Sequence, residues 1–390
     1  PVVCNGVVVG VISKKFDGTV AALSLVTMES FLAENGVALP GESSNPSASA
    51  FADRGDFPEE FAEALQKRAG SYLFLEGAHG YGKSTFCRTF HTDEKKVIKL
   101  GAYCLSDPES ALGASYRAQP QVFLEWLTTR ISGLITGRPL RKEEKSYPEQ
   151  IQQTAEYLDE FSKYCEQSGR QGVFFIDGLN EIPGGTMLDA LLGLLPSKLP
   201  PRVSVVLTAP NFDTVAVPLT SKVKRSDVFQ LPPLPDSSCY SYCQTALKPE
   251  RISPSLVGQI CEKAKGHPLY LRYLIEYANL QQTDDALDDF PVLAGPIEEY
   301  YQGIWAKLLQ DEAAVNLLAL MARLRWGILL TDFAKTLLPG ESAQFISVIR
   351  RIRHLLADDD NTGIYHASFA VFIIEQTAEI GESAYRRLAK

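Results

Sequence analysis

The chain has 390 residues, 45% apolar and 22% charged, which leaves room for two or three domains of ordinary size with the composition of a globular protein. Its 38 basic against 47 acidic side chains leave a net charge of −9, which argues against nucleic-acid binding driven by bulk electrostatics. Apolar runs such as residues 6–12 are far too short to span a membrane, no leader-like stretch is read at the start, and seven scattered cysteines form no CxxC pair, so free, buried thiols in a reducing, cytoplasmic setting are expected.

In chain order, PVVCNGVVVGVIS reads as two strands joined at Asn5-Gly6, a favoured hairpin turn. A third strand is predicted over residues 19–25 and a helix over 27–34. Because the first residue is Pro, the sequence is expected to be a piece of something longer. Residues 40–50, rich in Pro, Ser and Gly, read as a linker. An amphipathic helix follows over 58–68, with Pro58 suited to its first turn.

From Tyr72 onward strands and helices alternate. Strands are predicted at 72–75, 97–103, 172–176, 202–207 and 228–231, with helices from Lys83 and over 122–135, 151–165 and 187–195. Val173 to Ile176 is a continuous apolar run, as befits a central parallel strand covered on both faces. This alternation predicts a three-layer α/β domain whose ligand lies at the C-terminal ends of its strands. The connection over 137–147 is charged and exposed, and the acidic runs at 284–289 and 358–360 lack the spacing of a calcium loop.

Two stretches carry chemistry. Gly77-Ala78-His79-Gly80-Tyr81-Gly82-Lys83-Ser84 has the P-loop pattern, set between a buried strand and a helix start. Its glycines let backbone N–H groups point at phosphate oxygens, and the helix N-terminus adds positive partial charge. In this pattern Lys83 reaches the outer phosphates, the Ser84 hydroxyl ligates Mg²⁺ and Thr85 continues the polar first turn. The second stretch, Phe174-Phe-Ile-Asp177-Gly-Leu-Asn-Glu181, ends an apolar strand on an acid. Asp177 is suited to hold Mg²⁺ opposite Ser84, and Glu181 to orient an attacking water. A strand-end Asp on its own is as often a helix cap, and it is the P-loop upstream that favours the metal reading.

Asp177-Gly-Leu-Asn-Glu181 resembles the Asp-Gly-Leu-Asp-Glu signature of NACHT-type ATPases, within the STAND class of signalling NTPases. Other positions fit the same resemblance in order and spacing. Residues 51–56 look like the element before the P-loop, with Arg54 as the arginine along the nucleotide and Asp53 in place of its glycine. Lys265-Gly266-His267-Pro268 looks like the GxP motif, whose proline packs by the adenine. Tyr300 to Trp305 and Tyr365-His366-Ala-Ser-Phe369 look like the ends of a winged-helix domain, in which His366 matches a histidine on the β-phosphate of bound ADP. The resemblance spans about residues 45–378. It implies a P-loop NTPase three-layer parallel sheet (51–234), a helical lid (235–292) and a winged helix (293–390). Tyr270 and Tyr273, at helical spacing after Pro268, read as core.

Residues 1–36 are similar to the C-terminal tail of a trypsin-like serine protease domain, joined by a linker over 37–50. Together the resemblances imply an ATP/ADP- and Mg²⁺-dependent switch in antiviral or innate-immune defence, which oligomerises when activated. A protease-like effector would lie in cis and a sensor beyond Lys390. Two departures bear on turnover. Asn180 stands where the family has Asp, and Ala209 where relatives have an arginine after the strand at 203–207. Weak or slow hydrolysis is therefore implied, with Arg202, Lys222 or Arg225 as substitutes for that arginine. An AAA-type mechanochemical ATPase and a scaffold holding nucleotide structurally are the rival expectations.

Overall fold

The computed structural model describes residues 2–4, 7–16, 19–23, 54–91, 93, 95–105, 117–137, 146–181, 185–214, 222–281, 287–288, 290–324, 328–335, 337, 339–356 and 362–388. The chain divides into two compact units, Pro1–Ala48 and Ser49–Lys390. The first is an antiparallel ribbon of β1 (Val2–Cys4), β2 (Val7–Phe16) and β3 (Thr19–Leu23). Cys4 pairs with Val7 across the two-residue Asn5-Gly6 connection, and Phe16 pairs with Thr19 across another. The helix expected over 27–34 and the linker fall outside the described residues.

The second unit begins with α1 (Phe57–Lys67), β4 (Tyr72–Glu76), α2 (Lys83–Thr89) and β5 (Val97–Cys104). Then come α3 (Pro120–Thr136), α4 (Tyr147–Gln167), β6 (Gln171–Asp177), α5 (Gly185–Leu194), β7 (Val203–Ala209) and β8 (Val228–Gln230). Helix α4 starts earlier than its apolar spacing suggests. Ser146 and Glu149 form a capping box there, with Pro148 in the first turn, and both favour a start upstream of the apolar stripe.

The five strands form one parallel sheet in the order β5-β6-β7-β4-β8, so β7 separates the P-loop strand β4 from the Asp177 strand β6. Strand alternation assigns the two faces. Tyr72, Phe74, Phe174, Ile176, Val205 and Leu207 face α3, α4 and α5. Leu73, Leu75, Val173, Phe175 and Val206 face α1 and α2. This is the three-layer α/β architecture of a P-loop NTPase.

Beyond the sheet the chain is helical. The lid contains α6 (Asp236–Ala246), α7 (Pro254–Ala264) and α8 (Pro268–Leu280). The winged helix follows with α9 (Ile297–Leu308), α10 (Glu312–Met321), α11 (Leu330–Ala334), α12 (Pro339–Ile352), α13 (Ala367–Gln376) and α14 (Gly381–Leu388). An antiparallel bridge joins Leu356 to Ile364. One hydrophobic core runs unbroken from Leu234 through Tyr270, Tyr273 and Tyr301 to Phe369 and Ala384, so lid and winged helix are packed as a single body. Tyr270 and Tyr273 are fully buried, with their hydroxyls directed at the Pro291 carbonyl and the Tyr301 hydroxyl. Six cysteines are free and buried among the described residues, and none of the described helices is long and apolar enough to cross a membrane.

Candidate nucleotide site

Strand β4 delivers the chain to the C-terminal edge of the sheet, and residues 77–82 turn back there into α2. Gly80 and Gly82 sit at φ +77° and +84°, where a side chain is strained. Space forbids one as well. A Cβ at Gly80 would lie 2.7 Å from Leu269 and 2.8 Å from His267, and one at Gly82 would lie 2.7 Å from Nη2 of Arg54. The glycines therefore let the lid and Arg54 close directly onto the loop backbone.

Lys83 Nζ donates to the Gly77 carbonyl at 2.5 Å and the Ala78 carbonyl at 3.2 Å. Burial lowers its pKa, opposed first by Asp177 and then by Glu181, so all three groups share one electrostatic neighbourhood. Ser84 and Thr85 follow it in the half-buried first turn of α2. Asp177 is 2% exposed at the end of β6. Thr208 of β7 fixes it. Its Oγ1 donates to Asp177 Oδ1 at 2.5 Å and accepts from the Gly178 amide at 3.1 Å. The sequence reading passed over Thr208 because a threonine near a strand end is common. Only the register that sets β7 beside β6 reveals its role. Glu181, in a short 3₁₀ turn, folds its carboxylate back over Gly178.

The lid supplies the opposite wall. His267 caps α8, its Nδ1 accepting from the Tyr270 amide at 3.2 Å, so the ring proton sits on Nε2 and faces the His79 carbonyl at 3.1 Å. The Leu269 amide donates to the Gly80 carbonyl at 3.2 Å. Pro268 lies 3.9 Å from where a Gly82 Cβ would stand. Buried Arg54 bridges loop and lid approach, donating to the carbonyls of Tyr81 (2.5 Å) and Pro232 (2.6 Å). Burial lowers its pKa to about 10.

The winged helix contributes His366, the N-cap of α13, whose Nδ1 accepts from the Ser368 amide and leaves Nε2–H as a donor. Burial, and then the neighbouring His79, Lys83, His267 and Arg272, push its pKa down to about 3. His79 is lowered by burial and by Lys83, while Glu298 of α9 pulls the other way. The sequence-selected residues from loop, sheet, lid and winged helix thus gather at one edge of the sheet. Two of the basic substitutes for Ala209 do not: Arg202 precedes β7 and Lys222 lies over Tyr72, both at the N-terminal ends of strands. Arg225 lies against Phe212, just past the end of β7, and is paired there with Asp213.

An excess of basic groups around a glycine loop, with a lysine reduced to its own loop's carbonyls, fits a polyphosphate. Buried Asp177 beside the hydroxyl-bearing turn of α2 fits a hard divalent cation. Among the described residues no group of three or more His, Cys, Asp and Glu is arranged to hold a metal ion.

No protein-family model and no curated protein matches the chain. Solved structures with partial likeness include Cdc6p from Pyrobaculum aerophilum, at 11% identity over 87% of this chain and 95% of that one, with a TM-score of 0.35. The Aeropyrum pernix Orc1 protein in complex with DNA is 14% identical over 88% and 84%, with a TM-score of 0.34. Drosophila ORC bound to DNA is 12% identical over 90% and 99%, with a TM-score of 0.33. All three likenesses are distant.

Proposed function

We propose that this chain is a nucleotide-controlled switch that binds ATP or ADP with Mg²⁺ between its α/β sheet and its helical body. The observation that carries the reading is the seating of the lid on the P-loop, Leu269 on Gly80 and His267 on His79, with His366 within electrostatic reach of Lys83. A bound nucleotide supplies a polyphosphate whose charge the metal partly neutralises. Lys83 and the loop amides hold it, Asp177 and Ser84 hold the metal, Pro268 and Arg54 flank it, and His366 donates through Nε2–H. Nucleotide biases open against closed forms only through contacts that differ between them. Leu269 and His267 already join the helical body to the loop, and contacts of Pro268 and His366 with bound nucleotide would add to that joint and so meet that condition. Release of that joint exposes the surfaces for homo-oligomerisation.

The domain limits 51–234, 235–292 and 293–390 belong to this proposal. So does the finer reading of an antiviral or innate-immune switch with a protease-like effector in cis. That reading rests on the NACHT-type motifs and, for residues 1–36, on the protease-like sequence together with an antiparallel ribbon. A second reading, an AAA-type mechanochemical ATPase, is favoured by one observation: Glu181 lies near Lys83 and Asp177, where a water-orienting acid belongs.

Nucleotide extracted from purified protein separates the two. Tightly retained ADP with slow turnover supports the switch, and empty sites with rapid hydrolysis support the motor. Unchanged nucleotide content in Lys83→Ala defeats the switch, and unchanged hydrolysis in that variant defeats the motor.

A further inference from the structure

Ala209 leaves β7 without a cation for the outermost phosphate; of the substitutes suggested by sequence, Arg202 and Lys222 lie at the other end of the strands, and Arg225 is already paired with Asp213. Arg272 offers another charge. Helix α8 begins against the P-loop at Pro268, and Arg272 stands four residues on, along the same stripe of the helix. Its side chain is 14% exposed. The guanidinium carbon lies 3.0 Å from the ring centroid of Tyr365, the residue before His366. Its nearest ion pair, Nε to Glu276, is long at 3.8 Å, and Nη1 is buried with no hydrogen-bond partner among the described residues. Burying a cation with an unpaired donor is costly, and stacking on tyrosine offsets only part of it. The group is held ready for an anion that completes its hydrogen bonds. Arg272 and Lys83 both bear on His366, so the three groups share one electrostatic neighbourhood.

We propose that Arg272 reads the terminal phosphate of ATP. In the closed form it is parked on Tyr365. The third phosphate draws Nη1 away from that ring, which loosens the N-terminal end of α13 that carries His366. The inference rests on nucleotide binding at the P-loop. It gives the ATP form a contact that the ADP form lacks, and it makes Arg272 a specificity-determining residue.

The test measures ATP and ADP dissociation constants, with Mg²⁺, for the whole chain. Arg272→Gln weakens ATP binding about tenfold or more and changes ADP binding less than twofold, and Arg272→Lys recovers part of the loss. Tyr365→Leu, which removes the parking ring, shifts preference the other way, towards ATP, whereas Tyr365→Phe leaves it unchanged. A merely structural arginine would not produce opposite shifts. If Arg272→Gln does not fold, the Tyr365 pair decides. Wild-type protein that binds neither nucleotide overturns the proposed function itself. Wild-type protein that binds both, with an ATP/ADP ratio unmoved by these variants, overturns only the role of Arg272.

Discussion

The sheet and the helical body hold the two halves of the site in different ways. On the sheet, Lys83 and Asp177 are placed by backbone register and by one neighbour, Thr208, between two apolar layers that sandwich a rigid parallel ladder. In the helical body, Pro268, Arg272 and His366 come from segments nearly a hundred residues apart, united by one core reaching from Leu234 to Ala384. The joint between the halves is short, polar and largely made by backbone groups. Cores resist deformation while a polar joint exchanges readily with water. The difference predicts that, if the joint opens, lid and winged helix separate from the sheet as one piece.

The largest effect that tests this is loss of the shared core. Phe369 is fully buried and packs 4.9 Å from Tyr301, across from the lid residue Tyr273. Phe369→Ala is expected to cost about 3–5 kcal/mol, as large core truncations do. Hydrogen exchange should then show lid and winged helix losing protection together while β4, β6 and β7 keep theirs. Protection lost in the winged helix alone would break the single-body comparison.

Thr208→Val probes the sheet side. It removes the hydroxyl that aims Asp177 and leaves the Gly178 amide unsatisfied, with little change in volume. Loss of a residue that orients a metal ligand typically weakens the metal by roughly 10–100-fold. The expected outcome is that loss in Mg²⁺-dependent nucleotide affinity with nearly unchanged affinity in EDTA, read by titration with a fluorescent nucleotide.

These two variants also mark what was legible. The P-loop, Asp177 and the alternating elements show in the sequence because they are local: strand periodicity, glycine spacing and a strand-end acid each span fewer than ten residues. The GxP and His366 elements were legible only by resemblance to a family, since a capping histidine has no local signature of phosphate contact. Arg272 and Thr208 were not legible at all. The meaning of each lies in a partner distant in sequence, Tyr365 or Asp177, and pairing of that kind is set by packing and register. The same holds for Arg202 and Lys222, whose charge was visible but whose end of the sheet was not.

Acid should open the helical body first. Burial depresses His354 to about 3, His267 to about 4 and His366 to about 3. A histidine held neutral in the fold but free to protonate when unfolded binds more protons in the unfolded state, so stability rises with pH across that interval. The contribution is intact above about pH 6.5, the ordinary histidine value, and drains as pH falls towards 4 and 3. Each such histidine adds a slope of up to about 1.4 kcal/mol per pH unit. His354→Phe, in a cage formed by Tyr273, Tyr277, Phe290 and Tyr300, is expected to remove about one proton of uptake from unfolding measured at pH 5. At His366 the sign reverses on binding, because phosphate charge counters the cations that lower its pKa. Nucleotide affinity should therefore rise as pH falls from 7 to 6, and His366→Ala should flatten that rise.

The smallest effect is expected at Arg225. Both of its Nη atoms engage the carboxylate of Asp213, at 2.5 and 3.1 Å, and the pair is exposed to solvent. Water and salt screen such a pair, so it adds little to stability. Its guanidinium is already satisfied and has no cause to turn to a phosphate, unlike that of Arg272. Arg225→Gln is expected to leave melting temperature and both nucleotide affinities within error, in the same titrations that resolve Arg272→Gln. A selective fall in ATP affinity at Arg225 would move the phosphate-reading charge from the helical body to the sheet, and the division of labour between the two halves would have to be redrawn.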